Sequence, residues 1–169
     1  MSLVTIDKTT WGPGPWQDEP DYLHWVDEAT NLDCLVVRAG SGGHLCGYVG
    51  VPEGHPWHGR GYSECTRTPP CEDGWCEHSP DGQTNAHGGI TYASACSGRI
   101  CHHAPGRPEP VWWFGFDCAH CDDIGPAMEA RMAHLQLPNF RGDRREYRTL
   151  AYVQSECAKL AAQLAAVTT

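Results

Sequence analysis

No apolar stretch in this chain approaches the roughly 20 residues that a membrane-spanning helix needs, so no such helix is expected. Residues Met1 to Lys8 lack the charged start and apolar core of a signal peptide, which leads to the expectation of a cytoplasmic protein. Basic residues are also scarce: 12 Lys and Arg stand against 21 Asp and Glu, a formal charge of −9. A field of that sign repels phosphate backbones and argues against general nucleic-acid binding. The basic cluster Arg141, Arg144, Arg145 and Arg148 reads first as a solvated helix start. Hydrophobic residues make up only 40% of the chain, low for a globular protein. Several catalytic signatures are missing. There is no Gly-x-x-x-x-Gly-Lys-Ser/Thr phosphate loop, no His-Glu-x-x-His helix and no Gly-x-Ser-x-Gly elbow. There is also no His-x-Glu paired with Pro-Cys-x-x-Cys, as zinc deaminases carry.

What is abundant is ligand chemistry. The chain holds ten cysteines and ten histidines in 169 residues, with 19 Gly and 13 Pro. Length alone predicts a single domain over residues 1–169. Seven Trp and six Tyr supply large apolar surfaces, so the Gly and Pro content points to a loop-rich fold instead of disorder. The apolar runs Cys34–Arg38 and His44–Val51 flank the turn Ala39-Gly-Ser-Gly-Gly43 and predict a hairpin. Gly47 and Gly50 inside the second run predict a bulge or a close approach. Strands are also predicted at 89–93 and 111–116, and helices at 20–29 and 126–137. The last helix takes Pro126 at its first position, with Met128, Met132 and Leu135 on one face. The clearest element is C-terminal. Leu150, Val153, Cys157, Leu160, Leu164 and Val167 recur at three and four residues, and Asp143 and Glu146 have capping-box spacing. This predicts an amphipathic helix over 143–167. The expected fold class is α+β: an antiparallel sheet with that long C-terminal helix and a long Cys-rich loop at 52–87. The loop has almost no apolar periodicity, so something other than a core must order it.

Three constellations could carry chemistry. The first is Cys65, Cys71, Cys76 and His78, inside the loop. Thiolates and imidazoles are the ligands zinc selects, although these spacings match no standard finger. Free surface thiols or a disulfide are the bland readings. The second is Cys96, Cys101, Cys118 and Cys121, in which Cys118-x-x-Cys121 has zinc-knuckle spacing. Against it stands the reading of Cys96 and Cys118 as small buried hydrophobes. The third is His55, His87, Asp117 and His120, each beside Gly or at a strand end. These four could hold a catalytic metal with an open position or form an acid–base set, provided they converge. Their bland reading is structural: Asp117 caps a turn and His87 bonds a carbonyl. Antiparallel pairing of 89–93 with 111–116 would bring His87, Asp117 and His120 to one cleft. Parallel pairing would separate them by about 17 Å.

Three segments, Gly47-Tyr-Val-Gly-Val-Pro-Glu-Gly-His55-Pro56, His87-Gly-Gly-Ile-Thr-Tyr-Ala93 and Trp112-Trp-Phe-Gly-Phe-Asp-Cys-Ala-His120, together resemble a family of small bacteriophage and prophage proteins. The stretch from Tyr147 to Glu156 also fits. The resemblance implies a phage-type protein acting in the host cell cytoplasm and hands over no mechanism. Two functions follow from the residues. One is a zinc-binding protein, with a metal-dependent hydrolase cleft at His55, His87, Asp117 and His120. The other is a non-enzymatic acidic protein that binds a host protein or sequesters a small-molecule ligand through Trp57, Trp75, Trp112 and Trp113. One polar pocket favours the first, and a wide apolar patch rimmed by acids favours the second.

Overall fold

The computed structural model describes residues 5–71, 76–101, 105–136 and 144–168. Five strands form one antiparallel sheet: β1 (Tyr22–Val26), β2 (Asp33–Arg38), β3 (Leu45–Pro52), β4 (Tyr92–Ala95) and β5 (Val111–Asp117), in the order β1-β2-β3-β5-β4. Three α-helices accompany it among the described residues: α1 (Pro80–Gln83), α2 (Pro126–His134) and α3 (Leu150–Ala165). The architecture is α+β, as expected. No helix among the described residues is long and apolar enough to cross a membrane.

The central strands are buried on both faces, which is why Cys34–Arg38 reads as an uninterrupted apolar run. One face carries Cys34, Val36, Leu45, Val49, Val51, Phe114 and Phe116 against α3. The α3 stripe supplies Val153, Cys157, Leu160 and Leu164, each fully buried. The other face carries Leu35, Val37, Cys46, Tyr48, Val111 and Trp113, packed against Tyr22, Tyr92, Cys96 and Ile100. Gly47 marks the close approach foreseen from sequence. A Cβ there would collide with the Phe116 ring and the Cys157 sulfur, so α3 can lie this near β3 only over a glycine.

Four boundaries differ from the sequence reading. Residues 20–29 hold the strand β1, not a helix. Tyr22 pairs with Val37 and Val26 with Asp33, and the alternation of Tyr22 against Leu23 and Trp25 serves the two faces of the sheet. The return turn is closed by Asp27 and by Asn31 in the left-handed region (φ 58°). Strand β4 begins at Tyr92 instead of residue 89, because Gly88 and Gly89 both take positive φ and turn the chain first. Helix α2 lies at the periphery: its expected apolar face is only half-buried at Met128 and Met132, and Leu135 is exposed. It ends at His134, with Gln136 in the left-handed region (φ 53°), short of the predicted end at Leu137, which itself falls outside the described residues. Finally, α3 starts at Leu150, where the Thr149 hydroxyl accepts the Tyr152 N–H. Asp143 and Arg141 lie outside the described residues. Glu146 caps nothing; it bridges Asp123, its N–H donating to the Asp122 carbonyl and its own carbonyl accepting from Ile124.

This bridging segment is anchored from below by Arg38, which is fully buried. Its guanidinium donates to Asp21, Glu19, the Tyr147 hydroxyl and the Gly43 carbonyl, so the buried charge is paired on every side. Tyr147 and Arg148 are thereby delivered to the end of the sheet where β4 begins and β5 stops.

Candidate metal centre

The antiparallel pairing of β4 with β5 sets Tyr92 opposite Gly115. The turn before β4 and the turn after β5 therefore meet at one edge. His87 comes from the first and His120 from the second, and their ring centroids lie 5.0 Å apart. Gly88 makes this approach feasible. It has φ 68°, and a Cβ there would overlap the His120 ring.

The acid between the two rings is Asp123. Its Oδ2 lies 2.7 Å from His87 Nε2 and 3.2 Å from His120 Nδ1, and it also accepts the His120 backbone N–H at 3.0 Å. Its Oδ1 accepts from Arg148 Nε at 2.7 Å. The carboxylate is 3% exposed. Burial alone would raise its pKa. The bonds from His87, Arg148 and the His120 N–H outweigh burial and hold it below the usual carboxylate range. The far side of His87 is also held, with Nδ1 2.8 Å from the Tyr152 hydroxyl on the first turn of α3. Arg148 stacks over the Tyr152 ring at 5.1 Å and also binds Glu146. One ligand atom each from His87, His120 and Asp123 fall within 4.8 Å of one another. The site opens to solvent on the His120 side, since that side chain is 35% exposed against 12% for His87.

Two of the four residues expected in this cleft lie elsewhere. Asp117 is on β5 at a position that alternation turns away from the α3 face. Its carboxylate accepts the Thr91 hydroxyl and the Ala119 N–H, the work of a turn cap. His55 is spent on packing the C-terminus of α3: Nε2 donates to the Leu164 carbonyl, and Nδ1 accepts the Trp57 N–H. Burial lowers its pKa. Asp123, Arg148 and Tyr152 take the places left. Their signal in the sequence was slight: an acid three residues after His120, and an Arg and a Tyr one helical turn apart. What binds them is the bridge of Glu146 to Asp123, a contact between distant segments.

The cysteine loop builds a second donor set. Thr66 N–H and Gln83 Nε2 both donate to the His78 carbonyl, at 3.1 and 2.8 Å, and the Thr66 hydroxyl joins them. This stem closes the loop and sets Cys65 beside Cys76. The Cys71 sulfur is 3.4 Å from that of Cys65 and 3.1 Å from that of Cys76. The three sulfurs lie within 4.8 Å of one another and could hold a metal ion. Zinc–sulfur bonds near 2.3 Å in a tetrahedron place sulfurs about 3.8 Å apart, so little adjustment is needed. The Cys76 sulfur and the Cys71 N–H hold the Cys65 thiol down to about 7, while Cys76 and Cys65 push Cys71 up to about 12. The His78 imidazole stands outside the trio, 3.5 Å from Glu77.

The four-thiolate set does not assemble. Cys96 and Cys101 are joined in a disulfide, on the face opposite α3. Cys118 is buried on the α3 face, where burial pushes its thiol up, and Cys121 is exposed. The sheet itself separates Cys118 from Cys96. Of the tryptophans considered for a partner surface, Trp57 and Trp113 are core residues, 4% and 0% exposed. Trp112 is partly buried with its N–H donated to the Arg60 carbonyl. Trp75 lies outside the described residues. The large hydrophobics exposed among the described residues are Tyr62 and Leu135, which make no wide patch. Comparison with known proteins found no matching family model, no matching curated protein and no matching solved structure.

Proposed function

We propose that this protein is a zinc-dependent hydrolase whose catalytic ion is held by His87, His120 and Asp123. The observation that carries the reading is the convergence of two imidazole nitrogens on one carboxylate oxygen, with the other His87 nitrogen and the other Asp123 oxygen already occupied. Three protein ligands and one open position are the pattern of catalytic zinc, in which the fourth site holds a water made acidic by the ion. Tyr152 would take the Nδ1–H of His87 and so present Nε2 to the metal, while Arg148 would fix the carboxylate through its other oxygen. The cysteine trio would take a second, structural zinc. The three phage-like segments support a phage-type protein, and eight free thiols suit a host cytoplasm, where cysteines stay reduced, while the Cys96–Cys101 disulfide runs against it. The competing reading, an acidic partner-binding protein, is weakened by the burial of Trp57 and Trp113.

The test is elemental analysis and zinc titration of the full chain, followed by chromogenic carboxylic esters, phosphoesters and amides as substrates. Wild-type protein should bind one zinc that Asp123→Asn and His120→Gln lose, and any hydrolysis should vanish with it. A metal stoichiometry unchanged by both substitutions would overturn the proposal.

A further inference from the structure

We infer that His78 is the fourth ligand of the cysteine-loop zinc, making a closed Cys3His site. The inference rests on the reading of Cys65, Cys71 and Cys76 as a zinc site. Residue 78 is pinned next to residue 66 by the bonds of the Thr66 N–H, the Thr66 hydroxyl and Gln83 Nε2 to its carbonyl. Cys65 is the neighbour of Thr66 in the chain. On the other flank the Cys76 carbonyl accepts from the Ser79 N–H and hydroxyl, at 2.9 and 2.7 Å. The backbone is thus locked on both sides of His78, while among the described residues its ring makes only a 3.5 Å approach to Glu77, itself 72% exposed. Ligation would then take a rotation of the His78 side chain from Glu77 toward the sulfurs.

Several other donors among the described residues are committed. His55 holds the Leu164 carbonyl, and Glu64 binds Arg60 and the Gly61 N–H. Cys118 and Cys46 are buried in the two faces of the sheet. Charge also favours an imidazole: three thiolates already exceed the +2 of the ion, and a neutral fourth ligand adds nothing to that excess. A site with four protein ligands has no open position and is structural. Its effect would pass along the chain. His78 leads through the Ser79 cap into α1, whose Asp81 carboxylate accepts the Ile90 N–H at 2.7 Å and so holds the turn that presents His87.

Cobalt(II) substitution of the full chain tests this, because the thiolate-to-cobalt charge-transfer band reports the cysteine site and not the His87 centre. Wild type should show that band with tetrahedral absorption, and zinc should displace the cobalt. Cys71→Ser should lose the band. His78→Gln should keep a weakened band and lose roughly 100-fold or more in zinc affinity, beyond the 10–100-fold that an outer-shell partner costs. His78→Cys should restore tight binding with a four-thiolate spectrum, which separates loss of a ligand from loss of the fold. A His78→Gln spectrum and affinity equal to wild type would overturn the inference and leave the thiolate zinc standing. Absence of any thiolate band in wild type would overturn both.

Discussion

Asp123 is the residue on which most of the candidate centre depends. It joins four side-chain or backbone groups while 3% exposed, so its removal leaves Arg148 and two imidazoles facing a buried gap. Asp123→Asn is expected to cost about 3 kcal/mol in chemical denaturation, the range for breaking a buried pair. Because the folded pKa is depressed, the stabilisation from this carboxylate is present at neutral pH. It is lost as pH falls below the ordinary value near 3.9 and through the lowered one. The acid limb of the wild-type stability curve should therefore be steeper than that of the variant. Gly88→Ala forces a Cβ into the His120 ring at φ 68° and should destabilise the protein by about 1–3 kcal/mol while weakening zinc uptake. His55 has the same sign at higher pH. Burial lowers its pKa, and protonating Nδ1 would remove the acceptor of the Trp57 N–H. Its contribution should be complete above about 6.5 and decline below that. Thermal melts of wild type and His55→Gln between pH 7.5 and 5 should converge as pH drops; parallel curves would contradict this.

At the scale of elements, α3 and the sheet were the legible parts. The stripe Val153, Cys157, Leu160, Leu164 is amphipathic at helical period, and every one of these residues is fully buried. Leu160→Asp places a charge in that core and should cost on the order of 3 kcal/mol or more by urea denaturation. Unchanged stability would mean that the stripe does not pack as described. The start of α3 was not legible in the same way. Asp143 and Glu146 have the spacing of a capping box, yet Thr149 has the hydroxyl at the true boundary, and Glu146 is drawn off by Asp123. Local spacing proposes a cap, and a tertiary bridge decides whether the chain is helical there. The misread β1 has the same cause. Its local pattern suits a short helix, but the open edge of β2 offers a full ladder of hydrogen bonds.

Across the whole molecule, order beyond the sheet depends on polar and sulfur chemistry. Trp57, Ala86 and Ile90 anchor the 52–91 region to the core, and between Trp57 and Ala86 the described residues of the loop bury little beyond Cys76, Ser79 and Pro80. Treatment with a zinc chelator should therefore increase protease cleavage between Pro52 and His87, and Cys71→Ser should do the same without chelator. Equal cleavage with and without chelator would show that the stem bonds of Thr66 and Gln83 hold the loop alone. The charge of −9 has its own consequence. A field of that sign repels anions, so neutral or cationic compounds should be preferred over anionic ones in the hydrolase screen.

Hydrophobic period and turn chemistry act over a few residues. They suffice for the hairpin β2–β3, the aromatic β5, the α3 stripe, the close approach at Gly47 and the clustering of cysteines in one loop. They also bring His87 and His120 into consideration, because each stands at the end of an apolar run. What period cannot supply is which distant segments meet. Strand direction brought His87 to His120. Side-chain alternation on β5 turned Asp117 away and divided Cys118 from Cys96. The bridge between Glu146 and Asp123 put Arg148 and Tyr152 behind the two imidazoles. Only the packed sheet and helix decide these, because each depends on contacts between residues tens of positions apart.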